Sequence, residues 1–214
     1  MKVYGFSGLG ADERVYYLLN EKLITEIIPV AWIPPFEKES IEEYALRLSK
    51  KIEKSEEVIL VGVSFGGIIA IEIAKLITPH KVILISSAVT LQEIPWYFRM
   101  MGLSKINKII PPKFILPPAF INNWVFSIKK NEYKAMLKDI LESTDKTFAK
   151  WAINQIANWK NIEEPRNVIR IHGTRDRLLP ATNKTNIKIN NAGHFMVIEN
   201  AEEIAAIINK ELKD

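Results

Sequence analysis

The chain of 214 residues contains no cysteine, which excludes disulfide bonds, a thiolate nucleophile and a zinc site with cysteine ligands. It also has no apolar run long enough to span a membrane, because its most apolar window, residues 58–74, is too short and includes Glu72. No apolar stretch of signal-peptide length follows Lys2. We therefore expect a cytoplasmic protein without a membrane partner.

A dense basic block is absent as well. The formal net charge is +4, but the lysines are scattered among glutamates, so we expect no nucleic-acid partner. Hydrophobic residues make up 48% of the chain and charged residues 25%, a composition typical of a folded globular protein. The length predicts a single domain over residues 1–214, and the sequence does not indicate an oligomeric state.

Short runs rich in valine and isoleucine alternate with helical patterns along much of the chain. The clearest runs cover residues 2–6, 58–61 and 81–85, and weaker ones cover residues 27–32, 167–171 and 186–189. Such alternation is typical of parallel sheets, whose strands are covered on both faces. The sequence therefore predicts an α/β fold with a mostly parallel sheet of about six strands and helices on both faces.

Two helices have clear signals. Ser40 followed by Glu43 predicts a capping box, in which each side chain satisfies the other residue's backbone amide, at the start of a helix over residues 41–54. A second apolar stripe at helical spacing predicts a final helix over residues 202–212.

The alternation stops between residues 90 and 160, which predicts a helical cap inserted within the single domain. Prolines at 95, 111–112 and 117–118 divide its first half, and apolar stripes of helical period fill its second half. Most of its aromatic residues are expected to pack the cap onto the core. Trp96, Tyr97 and Phe98 directly follow a strand, so we expect this group to face a pocket, with Trp96 binding substrate.

The sharpest local signal is the G-x-S-x-G sequence from Gly62 to Gly66, which lies between an apolar strand and an apolar helix. Glycines on both sides allow a strained turn that exposes the hydroxyl of Ser64 at the carboxyl end of the strand. The helix that follows directs its free N–H groups toward the same point. A glycine-rich turn without catalytic function also fits the motif taken alone.

A serine hydroxyl needs a base, and histidine is the usual one near neutral pH. The chain has three histidines. His80 precedes a strand and should lie at the opposite edge of the sheet, whereas His172 ends a strand and is expected to be packed or hydrogen bonded near the site. His194 follows the last predicted strand and precedes the final helix, so it is the predicted base.

The base in turn needs an acid that fixes its tautomer, and Asp176 projects from the same predicted edge. A solvated aspartate paired with a neighbouring arginine is the alternative interpretation, and Asp139 and Asp145 are rivals inside the predicted cap helices. The backbone amides of Phe65 and Leu9 are the predicted donors to an oxyanion, although an ordinary glycine turn also explains the segment around Leu9.

The chain resembles the α/β-hydrolase superfamily, in particular small bacterial serine hydrolases with a cap insertion. The resemblance lies in the order Ser64, Asp176, His194 and in three motifs: G-x-S-x-G, H-G-x-x-D from His172 and G-H at Gly193. The resemblance covers nearly the whole chain. It implies a carboxylesterase-like, thioesterase-like or lipase-like enzyme without cofactor or metal, acting on a small-molecule ester or thioester through an acyl-serine intermediate. Many relatives have His-Gly where this chain has Ser7-Gly8, and the stretch between Asp176 and His194 is short.

Two other functions remain open. The same fold hosts lyases and acyltransferases, and a chain with this fold can also bind a small molecule without turnover. The aromatic, methionine and isoleucine content of the predicted cap predicts an apolar acyl or alcohol group, and Phe195, beside His194, is the second predicted contact with the substrate.

Overall fold

A parallel sheet forms the centre of the structure, a computed structural model that describes residues 1–53, 57–104, 124–128 and 130–213. The six strands within these residues pair side by side in the order β2-β1-β3-β4-β5-β6, and every pair is parallel. The predicted α/β fold with about six strands is therefore confirmed. The strands are β1 (Lys2–Phe6), β2 (Ile27–Pro29), β3 (Val58–Val63), β4 (Lys81–Ile85), β5 (Val168–Gly173) and β6 (Ile187–Ile189).

The strand limits differ from the predicted ones mainly at the carboxyl ends. β2 ends at Pro29, three residues before the predicted limit, although the Val30 amide still donates a hydrogen bond to the Gly5 carbonyl of β1 at 2.8 Å. β3 continues to Val63 and β5 continues to Gly173. These longer strands bring Ser64 and the loop after Gly173 to the same edge of the sheet.

Helices cover both faces of the sheet. Along β3, Leu60 belongs to a buried apolar cluster that includes residues of α2 (Ile41–Ser49) and α3 (Phe65–Ile77). Val61 belongs to a second cluster, shared with α1 (Tyr17–Asn20) and with the α7 (Met196–Glu199) and α8 (Ala201–Glu211) helices near the end of the chain. Since neighbouring side chains of a strand point to opposite faces, the two clusters lie on opposite sides of the sheet.

The predicted start of α2 is confirmed. The Ser40 hydroxyl accepts a hydrogen bond from the Glu43 amide at 3.2 Å, and the Glu43 carboxylate accepts one from the Ser40 amide at 2.9 Å. The helix ends at Ser49, earlier than the predicted residue 54. The last helix, α8, follows the predicted limits to within one residue at each end.

The chain between β4 and β5 is mostly helical where the structure describes it. α4 (Trp96–Ser104), α5 (Asn131–Ser143) and α6 (Lys146–Asn158) lie in this segment. The prolines at 111–112 and 117–118 lie outside the described residues, and the division into core and cap stays a prediction. No helix in the described part of the chain has the length and hydropathy needed to cross a membrane.

Candidate active site

Ser64 lies in a strained turn between β3 and α3. Its φ of 53° and ψ of −122° belong to a region that residues with a side chain rarely adopt, at a cost of about 1–3 kcal/mol. Three hydrogen bonds hold its backbone there. The Ser64 amide donates to the Ile85 carbonyl at 3.0 Å, and the Ser64 carbonyl accepts from the Ser87 hydroxyl at 2.6 Å and from the Gly67 amide at 2.9 Å. The turn directs the Ser64 side chain toward a cavity at the carboxyl edge of the sheet.

The glycines of the motif are required by close backbone contacts. A Cβ atom added at Gly62 would collide with the backbone of Gly67, and one added at Gly66 would collide with the carbonyl oxygens of Phe6 and Ser7. Neither neighbour is a flexible side chain that could move aside. The tight packing around the turn therefore explains the glycines on both sides of Ser64.

Three side chains that are distant in sequence meet at this edge of the sheet. Nε2 of His194 lies 2.9 Å from Oγ of Ser64, and Nδ1 of His194 lies 2.8 Å from Oδ2 of Asp176. The imidazole is 3% exposed and the carboxylate is buried. The structure thus joins Ser64, His194 and Asp176 in one hydrogen-bonded chain, an arrangement that can pass the serine proton to the imidazole.

Asp176 is held as a carboxylate despite its burial. Its Oδ1 accepts hydrogen bonds from the Leu178 and Leu179 amides, each at 2.9 Å, which leaves Oδ2 for His194. Burial raises the pKa of Asp176, but the charge and hydrogen bond of His194, together with the Leu179 amide, outweigh it and bring the pKa below its usual value. Asp176 is therefore ionised at neutral pH and can stabilise an imidazolium.

The loops that carry Asp176 and His194 are hydrogen bonded to the segment between β4 and β5. Tyr97 of α4 donates its hydroxyl to the Leu178 carbonyl at 2.6 Å. The His194 amide donates to the Phe126 carbonyl at 3.1 Å, and the Ser127 hydroxyl donates to the Arg175 carbonyl at 3.0 Å. The sequence did not indicate these contacts, because a carbonyl acceptor in an irregular segment leaves no local pattern.

The other candidates for base and acid lie elsewhere or have other contacts. His80 is exposed at the start of β4, at the opposite edge of the sheet. His172 is buried on β5 with no hydrogen-bond partner for Nδ1 among the described residues, and burial lowers its pKa. Asp145 caps α6 by accepting from the Thr147 and Phe148 amides.

The residues of the two predicted oxyanion donors, Phe65 and Leu9, lie close to Ser64. Phe65 is the first residue of α3, so its N–H is one of the amides for which a helix provides no internal partner. Leu9 lies in the turn after β1, and a Cβ added at its neighbour Gly8 would lie only 3.7 Å from Cβ of Ser64. The role of both amides stays a prediction.

A cavity of about 290 Å³ opens beside Ser64 and His194. Phe195 lines it, as do Phe98 and Met101 of α4, and the contact of Phe195 with substrate stays a prediction. Trp96 is 73% exposed and is not among the described residues that line the cavity. Apart from Ser64 and His194, the described residues around the cavity have apolar side chains or none. They come mainly from the turns after β1 and β3, helices α4 to α6 and the loops around residues 125, 178 and 195.

A metal site is not evident in the described part of the chain. Within the residues that the structure describes, no three side chains of His, Cys, Asp or Glu are grouped closely enough to hold a metal ion. The polar groups at the cavity are suited to proton transfer and to donation of hydrogen bonds.

Comparison with known proteins identifies related sequences and folds. The model of the alpha/beta hydrolase family matches residues 19–207, whereas no curated protein matches the chain. A hydrolase from Oleispira antarctica has a similar structure, with a TM-score of 0.74 and 13% identity over 100% of this chain and 92% of its own. A lipase-esterase related protein from Clostridium acetobutylicum has a TM-score of 0.70 and 16% identity over 98% and 93%. A thermophilic esterase has a TM-score of 0.70 and 20% identity over 99% and 89%.

Proposed function

The chain belongs to the alpha/beta hydrolase family, and from this premise we propose that it is a serine hydrolase that cleaves an ester or thioester of a small apolar substrate. The observation that carries the proposal is the hydrogen-bonded chain from Ser64 through His194 to Asp176 at the wall of an apolar cavity. The names of similar structures, which include esterases, agree with this class of reaction.

In the first half of the proposed reaction, His194 takes the proton of Ser64 as Oγ attacks the substrate carbonyl carbon. The carbonyl electrons move to the oxygen, which accepts hydrogen bonds from the amides of Phe65 and Leu9. The bond to the leaving alcohol or thiol then breaks, and His194 returns the proton to that group. Asp176 keeps the imidazole in the required tautomer and stabilises its positive charge.

In the second half, water replaces the departed alcohol or thiol. His194 removes a proton from the water as the water oxygen attacks the carbonyl carbon of the acyl-serine. It then gives that proton to Oγ of Ser64 as the bond between Oγ and the acyl carbon breaks. The free acid leaves and the serine is regenerated. One ester and one water thereby become one acid and one alcohol, with no cofactor in the proposed cycle.

The test is hydrolysis of p-nitrophenyl acetate by the wild type and by Ser64→Ala. We expect the variant to lose at least about 10⁴-fold in kcat, because the nucleophile acts as a unit with its base. Ser104→Ala is the matched control, since Ser104 is exposed at the end of α4. A fluorophosphonate should label Ser64 covalently, and mass spectrometry locates the adduct.

Three outcomes would contradict the proposal in different ways. Undiminished turnover in Ser64→Ala would remove the serine mechanism. Labelling of Ser64 together with cleavage of cyanohydrins, or with acyl transfer to an alcohol in preference to water, would favour a lyase or an acyltransferase. No adduct on Ser64 and no turnover would favour a binding protein.

A further inference from the structure

The cavity beside Ser64 extends across the carboxyl edge of the sheet and reaches both of its faces. Val15, Leu137 and Ile140 line it and belong to the apolar cluster on the α1 and α8 side of the sheet. Phe98 and Ile156 line it too, but they pack with the cluster on the α2 and α3 side. Because the two clusters lie on opposite faces, the lining of the cavity falls into two groups of residues, one from each face of the sheet, and we call these two groups its lobes.

The first lobe, which we call the α5 lobe, is formed by Val15, Leu137, Ile140 and Leu141. Leu137 and Ile140 are buried on one face of α5, and Leu141 adjoins Leu137 at the next turn of the helix. These side chains are aliphatic, so the lobe presents no hydrogen-bonding group.

The second lobe, the α4–α6 lobe, is formed by Phe98, Met101, Ile153 and Ile156. Phe98 and Met101 lie three residues apart on α4, as Ile153 and Ile156 do on α6, so each pair faces the same side of its helix. The two helices touch where a Cβ added at Gly102 would collide with the carbonyl of Ala157. This contact holds α4 against α6, the two helices that supply the residues of the lobe.

Among the residues that the structure describes, none in either lobe has a side chain that could bind a charge. Moving an ionised or unpaired polar group from water into such a space is costly, whereas each methylene buried there contributes about 0.8 kcal/mol. A volume of about 290 Å³ lies near the lower end of the range of about 300–1,000 Å³ typical of small-molecule pockets. The space therefore suits a short uncharged molecule.

From these observations we infer that the substrate is a small oxygen ester with an apolar group on each side of its carbonyl, one in each lobe. The inference rests on the proposed function, which places the carbonyl at Ser64. It narrows the substrate class, because the thioester of a charged carrier would have to place a polar chain in an apolar lobe.

The test compares kcat/KM for ethyl acetate, ethyl butyrate, butyl acetate and butyl butyrate, with release of acid followed by pH-stat titration. In the wild type, lengthening either the acyl or the alkoxy group by two methylenes should raise kcat/KM by about fifteenfold, since each buried methylene corresponds to about a fourfold gain. Butyryl coenzyme A should be a poorer substrate than butyl butyrate.

Two substitutions fill one lobe each. Leu141→Trp should abolish the gain from lengthening one side of the ester, and Met101→Trp should abolish the gain from lengthening the other. Leu141 and Met101 are only partly buried, so the larger ring has room to adjust. Ala135→Trp and Leu103→Trp are the matched controls, because these exposed positions on α5 and α4 do not line the cavity, and both should keep the wild-type pattern.

The inference is overturned if both tryptophan variants affect the same side of the ester, if neither alters selectivity while the esters are hydrolysed, or if butyryl coenzyme A is preferred. Absence of hydrolysis in the wild type would instead contradict the proposed function. The lobes are then tested through binding of dibutyl ketone, followed by ligand-observed NMR. Weakening of its Kd by about tenfold in each tryptophan variant, but in neither control, supports the two lobes, and unchanged Kd values overturn them.

Discussion

Replacing Asp176 by asparagine should abolish activity while leaving the shape of the site intact. Oδ1 of Asp176 accepts two amide hydrogen bonds at 2.9 Å, so the asparagine oxygen must occupy that position and its NH₂ group must face His194. The amide then donates to Nδ1, which lies 2.8 Å from the replaced oxygen. The histidine proton is thereby forced onto Nε2, the atom that should accept the proton of Ser64.

We expect kcat for p-nitrophenyl acetate to fall by about 10⁴-fold in Asp176→Asn, equivalent to about 5.4 kcal/mol of transition-state stabilisation, with a small change in KM. The ¹⁵N chemical shifts of His194 should report the altered tautomer directly. Asp145→Asn is the matched control, because asparagine keeps the oxygen that caps α6, and its kcat should stay within about twofold of wild type. A decrease of less than tenfold in Asp176→Asn would refute the reasoning.

Three further predictions concern residues around the site. Tyr97→Phe should lower kcat by about three- to tenfold through loss of its 2.6 Å hydrogen bond to the acid loop, whereas Tyr17→Phe at an exposed position should not; equal kcat values would contradict this. His172→Phe should make Tm less dependent on pH below about 6.5. Burial lowers the pKa of His172, so the unfolded chain protonates this imidazole more readily than the folded chain does, and acid destabilises the wild type; identical profiles of Tm against pH in the two proteins would argue against this. Gly66→Ala should destabilise the fold by about 1–3 kcal/mol or more in urea titrations, and Gly8→Ala by less than about 1 kcal/mol. Only the alanine at position 66 has a Cβ that collides with backbone carbonyl oxygens; equal stabilities of the two variants would count against this explanation.

The sheet and its helices could be predicted because their signals are periodic and local. β1 and β4 begin and end at the predicted residues, and the capping box at Ser40 forms as predicted. The order of strands and loops along the chain was enough to predict that Ser64, Asp176 and His194 share one edge, since parallel strands end on the same side.

The position of Trp96 could not be obtained from its place after β4. The aromatic residues from Trp96 to Phe98 are consecutive in a helix, so their side chains point in different directions around its axis. Phe98 and Met101 face the cavity, which turns Trp96 outward. Only the packing of α4 against α6 fixes that rotation, and this packing depends on contacts between residues far apart in sequence.

Tyr97, Phe126 and Ser127 form hydrogen bonds with the loops of Asp176 and His194, and this has a consequence for engineering. The part of the chain between β4 and β5 is not an interchangeable module that only selects substrates. A graft that imports this segment from a relative, in order to change specificity, has to reproduce a hydroxyl at position 97 and a carbonyl at position 126. Without them the altered protein would acquire a new pocket and lose the alignment of Asp176 with His194.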